Sequence, residues 1–132
     1  MTVEESIKLL ALIKLAYPNS YKDIDKDTQL ATVNMWQRNF NSVPFGIMEM
    51  ALDHFVKKSK FPPTISDICE ELKSIHYEAL QNVWTLEDGD ERNINKFIMK
   101  QTECFIERND HRITYNNTRN LLPGVNQPLI EG

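Results

Sequence analysis

The sequence predicts an all-α fold: a compact bundle of about five short helices over residues 1–108, followed by a flexible C-terminal tail, residues 109–132. Three observations carry that expectation. Apolar residues recur at helical spacing in five separate segments. Side chains suited to capping stand immediately before several of those segments. Only four glycines occur in 132 residues, which leaves little material for tight hairpins or phosphate-cradling loops.

Thr2 opens the first helix, because "TVEE" matches a capping box in which Thr2 and Glu5 satisfy each other's backbone N–H groups. Val3, Ile7, Leu10 and Ile13, with Leu9 and Leu12 beside them, form its expected apolar stripe. Pro18 ends the helix, since it disfavours the α conformation at Tyr17 and lacks an N–H. After the polar "NSYKDIDKD" a second helix runs from about Asp27 to Phe40, with Leu30, Val33, Trp36 and Phe40 expected on one face. Ser42 reads as the N-cap of a third helix, with Pro44 in its first turn. Phe45, Met48, Leu52, Phe55 and Val56 are its expected inward residues. Lys57, Lys58 and Lys60 fall at its C-terminus, where positive charge complements the helix dipole.

In "FPPT", Pro62 and Pro63 impose an extended turn, and Thr64 caps a fourth helix with Asp67 at its third position. Ile65, Ile68, Leu72 and Ile75 repeat along that helix, which continues to about Val83 or Trp84. "TLEDGDE" reads as a solvated acidic loop. A fifth helix starts near Glu91, turns Ile94, Phe97, Ile98 and Phe105 inward, and fades after Arg108. Beyond it, apolar residues keep neither helical nor strand period for long, so that segment is expected to order only against a partner. Its last residues, "PLIEG", read either as native sequence or as a cloning remnant.

Charge and motifs exclude several functions. The net charge is −4, and residues 61–108 hold ten acidic against five basic side chains. Nucleic-acid binding draws on clustered Lys and Arg, and the run at 57–60 is too short and too isolated for that. No P-loop, G-x-G-x-x-G, C-x-x-C or H-E-x-x-H pattern occurs, so neither an enzyme nor a cofactor or metal site is expected. Cys69 and His76, seven residues apart, read as a small buried thiol and a half-exposed imidazole. Glu70, Glu71 and Glu78 read as a solvated helix face. Trp36, Phe40, Phe45, Phe55 and Phe61 read as core rather than a base-stacking platform, while Trp84 reads as either a cap on the core or an exposed contact. Two cysteines in helical patterns and an acidic N-terminus fit a cytoplasmic protein with reduced thiols.

The tail is where a functional reading outweighs a bland one. An inert tail seldom keeps apolar residues bare, and Ile113, Tyr115, Leu121 and Leu122 have the character of anchors for coupled folding and binding. With Arg112 and Arg119 pairing acidic groups on a partner, these six residues form the candidate binding site.

"LLALIKLAYPNSY", "TVNMWQRNF", "VPFGIMEMALDHFV" and "KFPPTISDI" together resemble the small loader-and-inhibitor proteins of bacteriophage replicative helicases. The resemblance covers about residues 6–70. Its most specific parts are the Ala16-Tyr17-Pro18 turn, Trp36 and the joint from Phe61 to Ile65. It implies a helical protein without its own ATPase that binds the hexameric DnaB-type helicase in its ATP-bound form and holds it inactive. It further implies delivery to origin DNA marked by a phage initiator protein. The expected state is a monomer in the cytoplasm of the infected bacterium, with no direct contact to nucleic acid or membrane. The tail would make the helicase contact, although the resemblance does not reach it. The alternative is a small helical DNA-binding phage regulator, which needs a basic recognition helix. The fourth helix instead shows Asp67, Glu70 and Glu71.

Overall fold

The computed structural model describes residues 1–109, which form five α-helices in chain order: α1 (Val3–Ala16), α2 (Lys26–Asn39), α3 (Phe45–Val56), α4 (Ile65–Thr85) and α5 (Asp90–Asn109). No strand occurs among the described residues. The expected tail lies outside them, apart from Asn109, the last residue of α5.

Helix starts follow local side-chain chemistry. At α1 the Glu5 N–H donates to Thr2 Oγ1 at 3.1 Å and the Thr2 N–H to Glu5 Oε1 at 2.8 Å, the reciprocal box that the sequence predicts. The same arrangement opens α4 between Thr64 and Asp67, at 2.9 and 3.1 Å. At α2 the cap is Asp25, whose carboxylate accepts the Thr28 N–H at 2.7 Å. The cap expected for α3 is not there. Ser42 stands two residues too early, and Pro44 occupies the N-cap in extended backbone (φ −63°, ψ 148°) without a side-chain bond. Its carbonyl still accepts from Ile47 and Met48 at 3.1 Å each.

The helices pack in the spatial order α2, α1, α3, α4, α5, with α4 and α5 forming an antiparallel hairpin. The core runs through Leu9, Ile13, Phe40, Met48, Leu72 and Ile106. Trp36, Phe40 and Phe105 form an aromatic row, with ring centroids 5.6 and 5.7 Å apart. Two ties hold the chain ends of α1. The Met1 ammonium donates to the Asn41 and Val43 carbonyls at 3.0 and 2.9 Å, and the Tyr17 hydroxyl donates to the Ser59 carbonyl at 2.9 Å.

Several residues expected inside point outward. In α1 the buried set is Ser6, Leu9 and Ile13, so Val3 and Ile7 are exposed. Leu30, Val56, Ile94 and Phe97 are exposed as well, and Phe61 in the "FPPT" joint is 76% exposed. The reason is geometric. Each helix carries an apolar arc wider than its neighbours cover, and the neighbours decide which part is buried. Glu71, expected on a solvated face, departs in the other direction. Its carboxylate is almost fully buried and pairs with the Lys58 ammonium. Lys58 thus reaches across the joint to α4 in addition to lying near the end of α3.

Caps and core should respond differently to substitution. Thr64→Ala removes a cap bond and should cost about 1 kcal/mol, lowering the melting temperature by about 4–8 °C. Phe105→Ala opens a cavity against Phe40 and should cost about 3–5 kcal/mol, and thermal melts followed by circular dichroism will separate the two. Acid should act in part through Asp25, whose carboxyl is held below its usual range by its hydrogen bonds to Thr28. The contribution of that carboxylate is therefore present above the ordinary carboxylate pKa and is lost as pH falls through the depressed value. Asp25→Asn keeps a capping oxygen but cannot titrate, so the variant should show a shallower loss of stability on acidification.

Candidate docking surfaces

An open groove of about 580 Å³ lies between α1 and α2. Ile7 and Leu10 form one wall, Leu30 and Val33 the other, and Tyr21 and Ile24 from the α1–α2 connection close one end. The groove exists because α1 turns Leu9 and Ile13 to the core while α2 turns Trp36 and Phe40 there. The adjoining apolar side chains are left facing a shared cleft. Tyr21 holds φ 57°, an uncommon conformation for a bulky residue. Burial pushes its hydroxyl pKa up, and a hydrogen bond to Trp36 opposes the rise. The walls are apolar, with Lys14, Lys26 and Asp27 among the lining residues, so its chemistry is the reception of apolar side chains.

The α4–α5 hairpin is registered by polar contacts. His76 Nδ1 lies 2.7 Å from Thr102 Oγ1 in the core, and that hydroxyl reaches the Ile98 and Met99 carbonyls at 3.1 Å each. Its single proton can serve a carbonyl, which lets the oxygen accept from the imidazole. His76 is thus fully buried, contrary to the half-exposed imidazole expected from sequence. Nearer the hairpin tip, Asn82 Nδ2 donates to Asn95 Oδ1 at 3.0 Å. Arg92 Nε donates to the Val83 carbonyl at 2.7 Å, and its Nη1 pairs with Asp88 at 2.8 Å. Trp84 is 69% exposed, which makes it a surface residue and not a cap on the core.

Other chemistry finds no site in this bundle. Among the described residues no group of three or more His, Cys, Asp or Glu side chains is placed to hold a metal ion. None of the described helices is long and apolar enough to cross a membrane. Arg112, Ile113, Tyr115, Arg119, Leu121 and Leu122, the binding residues expected from sequence, lie outside the described residues. The groove is the feature that sequence reasoning misses. Ile7, Leu30 and Val33 are legible as apolar, and periodicity alone assigns them to the core. An apolar arc as wide as that of α1 is nonetheless a signal of surplus surface.

The two cysteines should differ in reactivity. Cys104 is exposed, whereas Cys69 is half-buried and its thiol pKa is raised by burial, with Lys73 lowering and Glu70 raising it. A raised pKa means less thiolate at neutral pH. Iodoacetamide should therefore label Cys104 first, as read by mass spectrometry of the folded protein over time; equal rates would contradict the burial of Cys69.

A family model for the N-terminal domain of a phage helicase loader/inhibitor matches residues 1–69, just over half of the chain. No curated protein and no solved structure gives a significant match. The matched segment contains α1 to α3, the groove, the "FPPT" joint and the Thr64 cap of α4, while α5 lies beyond it. By that match the chain belongs to the family of phage helicase loader/inhibitor proteins.

Proposed function

We propose that this protein binds the hexameric, DnaB-type replicative helicase of its phage, holds it inactive and delivers it to origin DNA through an initiator protein. The observation that carries the reading is the family match over residues 1–69, which supports a helicase loader/inhibitor role in general. The tail supplies the helicase contact: Ile113, Tyr115, Leu121 and Leu122 enter an apolar groove on the ring, and Arg112 and Arg119 pair with its carboxylates. Inhibition arises because the tail binds one state of the ring, the ATP-bound one, better than the states that follow it in the cycle. The protein acts as a monomer in the host cytoplasm, performs no catalysis and leaves DNA contact to its partners. The DNA-binding alternative gains nothing from α4, where Asp67 and Glu70 flank a Glu71 already committed to Lys58.

Co-sedimentation with the purified helicase, with and without ATP, tests this. The full chain should pellet with the ring, and more so with ATP. Residues 1–108 alone should stay in the supernatant while keeping the helical circular dichroism of the folded bundle. Equal retention of the truncated protein would remove the tail from the mechanism but leave the loader role intact. No retention of the full chain in any nucleotide state would sink the loader role itself.

A further inference from the structure

The apolar groove between α1 and α2 has no occupant among the described residues, and the place where the chain leaves α5 points to one. We propose that it is the seat of the protein's own tail, with Leu121 and Leu122 lying between the Ile7–Leu10 wall and the Leu30–Val33 wall. This docking does not rest on the helicase reading.

The argument begins at the end of α5. Phe105 stacks on Phe40, the residue that closes α2, and Ile106 is fully buried beside them. The last turn of α5 is thereby fixed against the C-terminal end of α2. Leu30 and Val33, the α2 wall of the groove, stand ten and seven residues before Phe40 on the same helix. At 1.5 Å per residue that is about 10–15 Å along its axis. Tail and groove therefore begin on the same helix.

Reach then selects the segment. Four residues separate Asn109 from Ile113, a span of at most about 14 Å when fully extended. That limit only matches the offset along α2, so Ile113 would arrive at the groove only with every intervening residue fully extended. Twelve residues separate Asn109 from Leu121, and a chain of that length has a typical reach of about 20 Å and a limit of about 40 Å. Leu121 and Leu122 are thus the first adjacent pair of large aliphatic side chains in the tail that reaches the groove without strain. The groove rim carries both signs, from Lys14, Lys26 and Asp27, so no field excludes a segment containing Arg119.

Tethering decides between this occupant and a second copy of the chain. A short linker presents its own segment at an effective concentration in the millimolar range, far above that of free protein at micromolar levels. A weak apolar contact is then populated within one molecule and not between two. The consequence for the tail is competition: leucines seated on α1 and α2 are unavailable to any other protein until displaced.

Amide chemical shifts of the full-length chain test the proposal. The wild type is compared with Leu121→Ser/Leu122→Ser and, reciprocally, with Leu30→Gln, an exposed site whose change spares the core. The tail variant should move the amides of Ile7, Ala11, Leu30 and Val33, and Leu30→Gln should move those around Leu121. Both differences should persist unchanged on dilution. Groove amides that coincide in wild type and tail variant would overturn the proposal. So would differences that vanish on dilution, which assign the groove to a second copy, or groove amides that move only when the helicase is added.

Discussion

The position of Phe40 is the constraint on which the rest of the architecture hangs. It closes α2, has no exposed surface, and lies between the Trp36 and Phe105 rings at 5.6 and 5.7 Å. Few other contacts join α2 to the hairpin, because α1 and α3 stand between them in the packing order. The row Trp36–Phe40–Phe105 therefore joins the first helices of the chain directly to the last one. The 69 family-matched residues contain Phe40 but not its stacking partner, so in this chain the core of the matched region is completed by a helix outside it.

The exposed apolar residues have a common origin and two different meanings. A chain of 132 residues has much surface for its volume, and five helices present more apolar arc than one small core can cover. Phe61 and Trp84 show the ordinary result, large side chains left exposed and outside the groove lining. Ile7 and Leu30 differ because they face each other across a concave cleft with Leu10, Val33 and Tyr21 behind them. Concavity matters because a partner side chain placed there is desolvated on several sides at once, whereas one resting on Phe61 is not.

What is legible in the sequence is local. Thr2–Glu5 and Thr64–Asp67 are short patterns whose geometry depends on nothing distant, and both form as read. Helix limits set by Pro18 and by the "FPPT" joint are equally local. The faces are less legible, because burial depends on which helix lies alongside. Ser6 enters the core in place of Val3 and Ile7 for no reason visible within α1; the spacing of Ser6, Leu9 and Ile13 happens to face α2 and α3. The burial of Glu71 escapes a sequence reading for the same cause. Its partner Lys58 is thirteen residues away, across a turn whose path no periodicity reveals. Ser42 shows the limit of cap reading: a suitable side chain two residues early loses to the backbone that Pro44 fixes. The groove is hidden twice over, since finding it needs the correct face of α1 and the correct face of α2 together.

Polar pairs inside the hairpin carry more of its specificity than of its stability. Rows of Ile and Leu on two long helices pack acceptably in more than one register, since apolar contact is not directional. His76 with Thr102 and Asn82 with Asn95 are satisfied in one register only, and a slip would strand these groups without their partners. The Lys58–Glu71 pair extends the same control to α3; because Lys58 is largely exposed, solvent screening limits what the pair adds in energy but not what it fixes in position. Register in turn decides which α5 residue meets Phe40, and thus where Asn109 leaves the bundle. The point at which the chain leaves α5 is thus set by these interior hydrogen bonds.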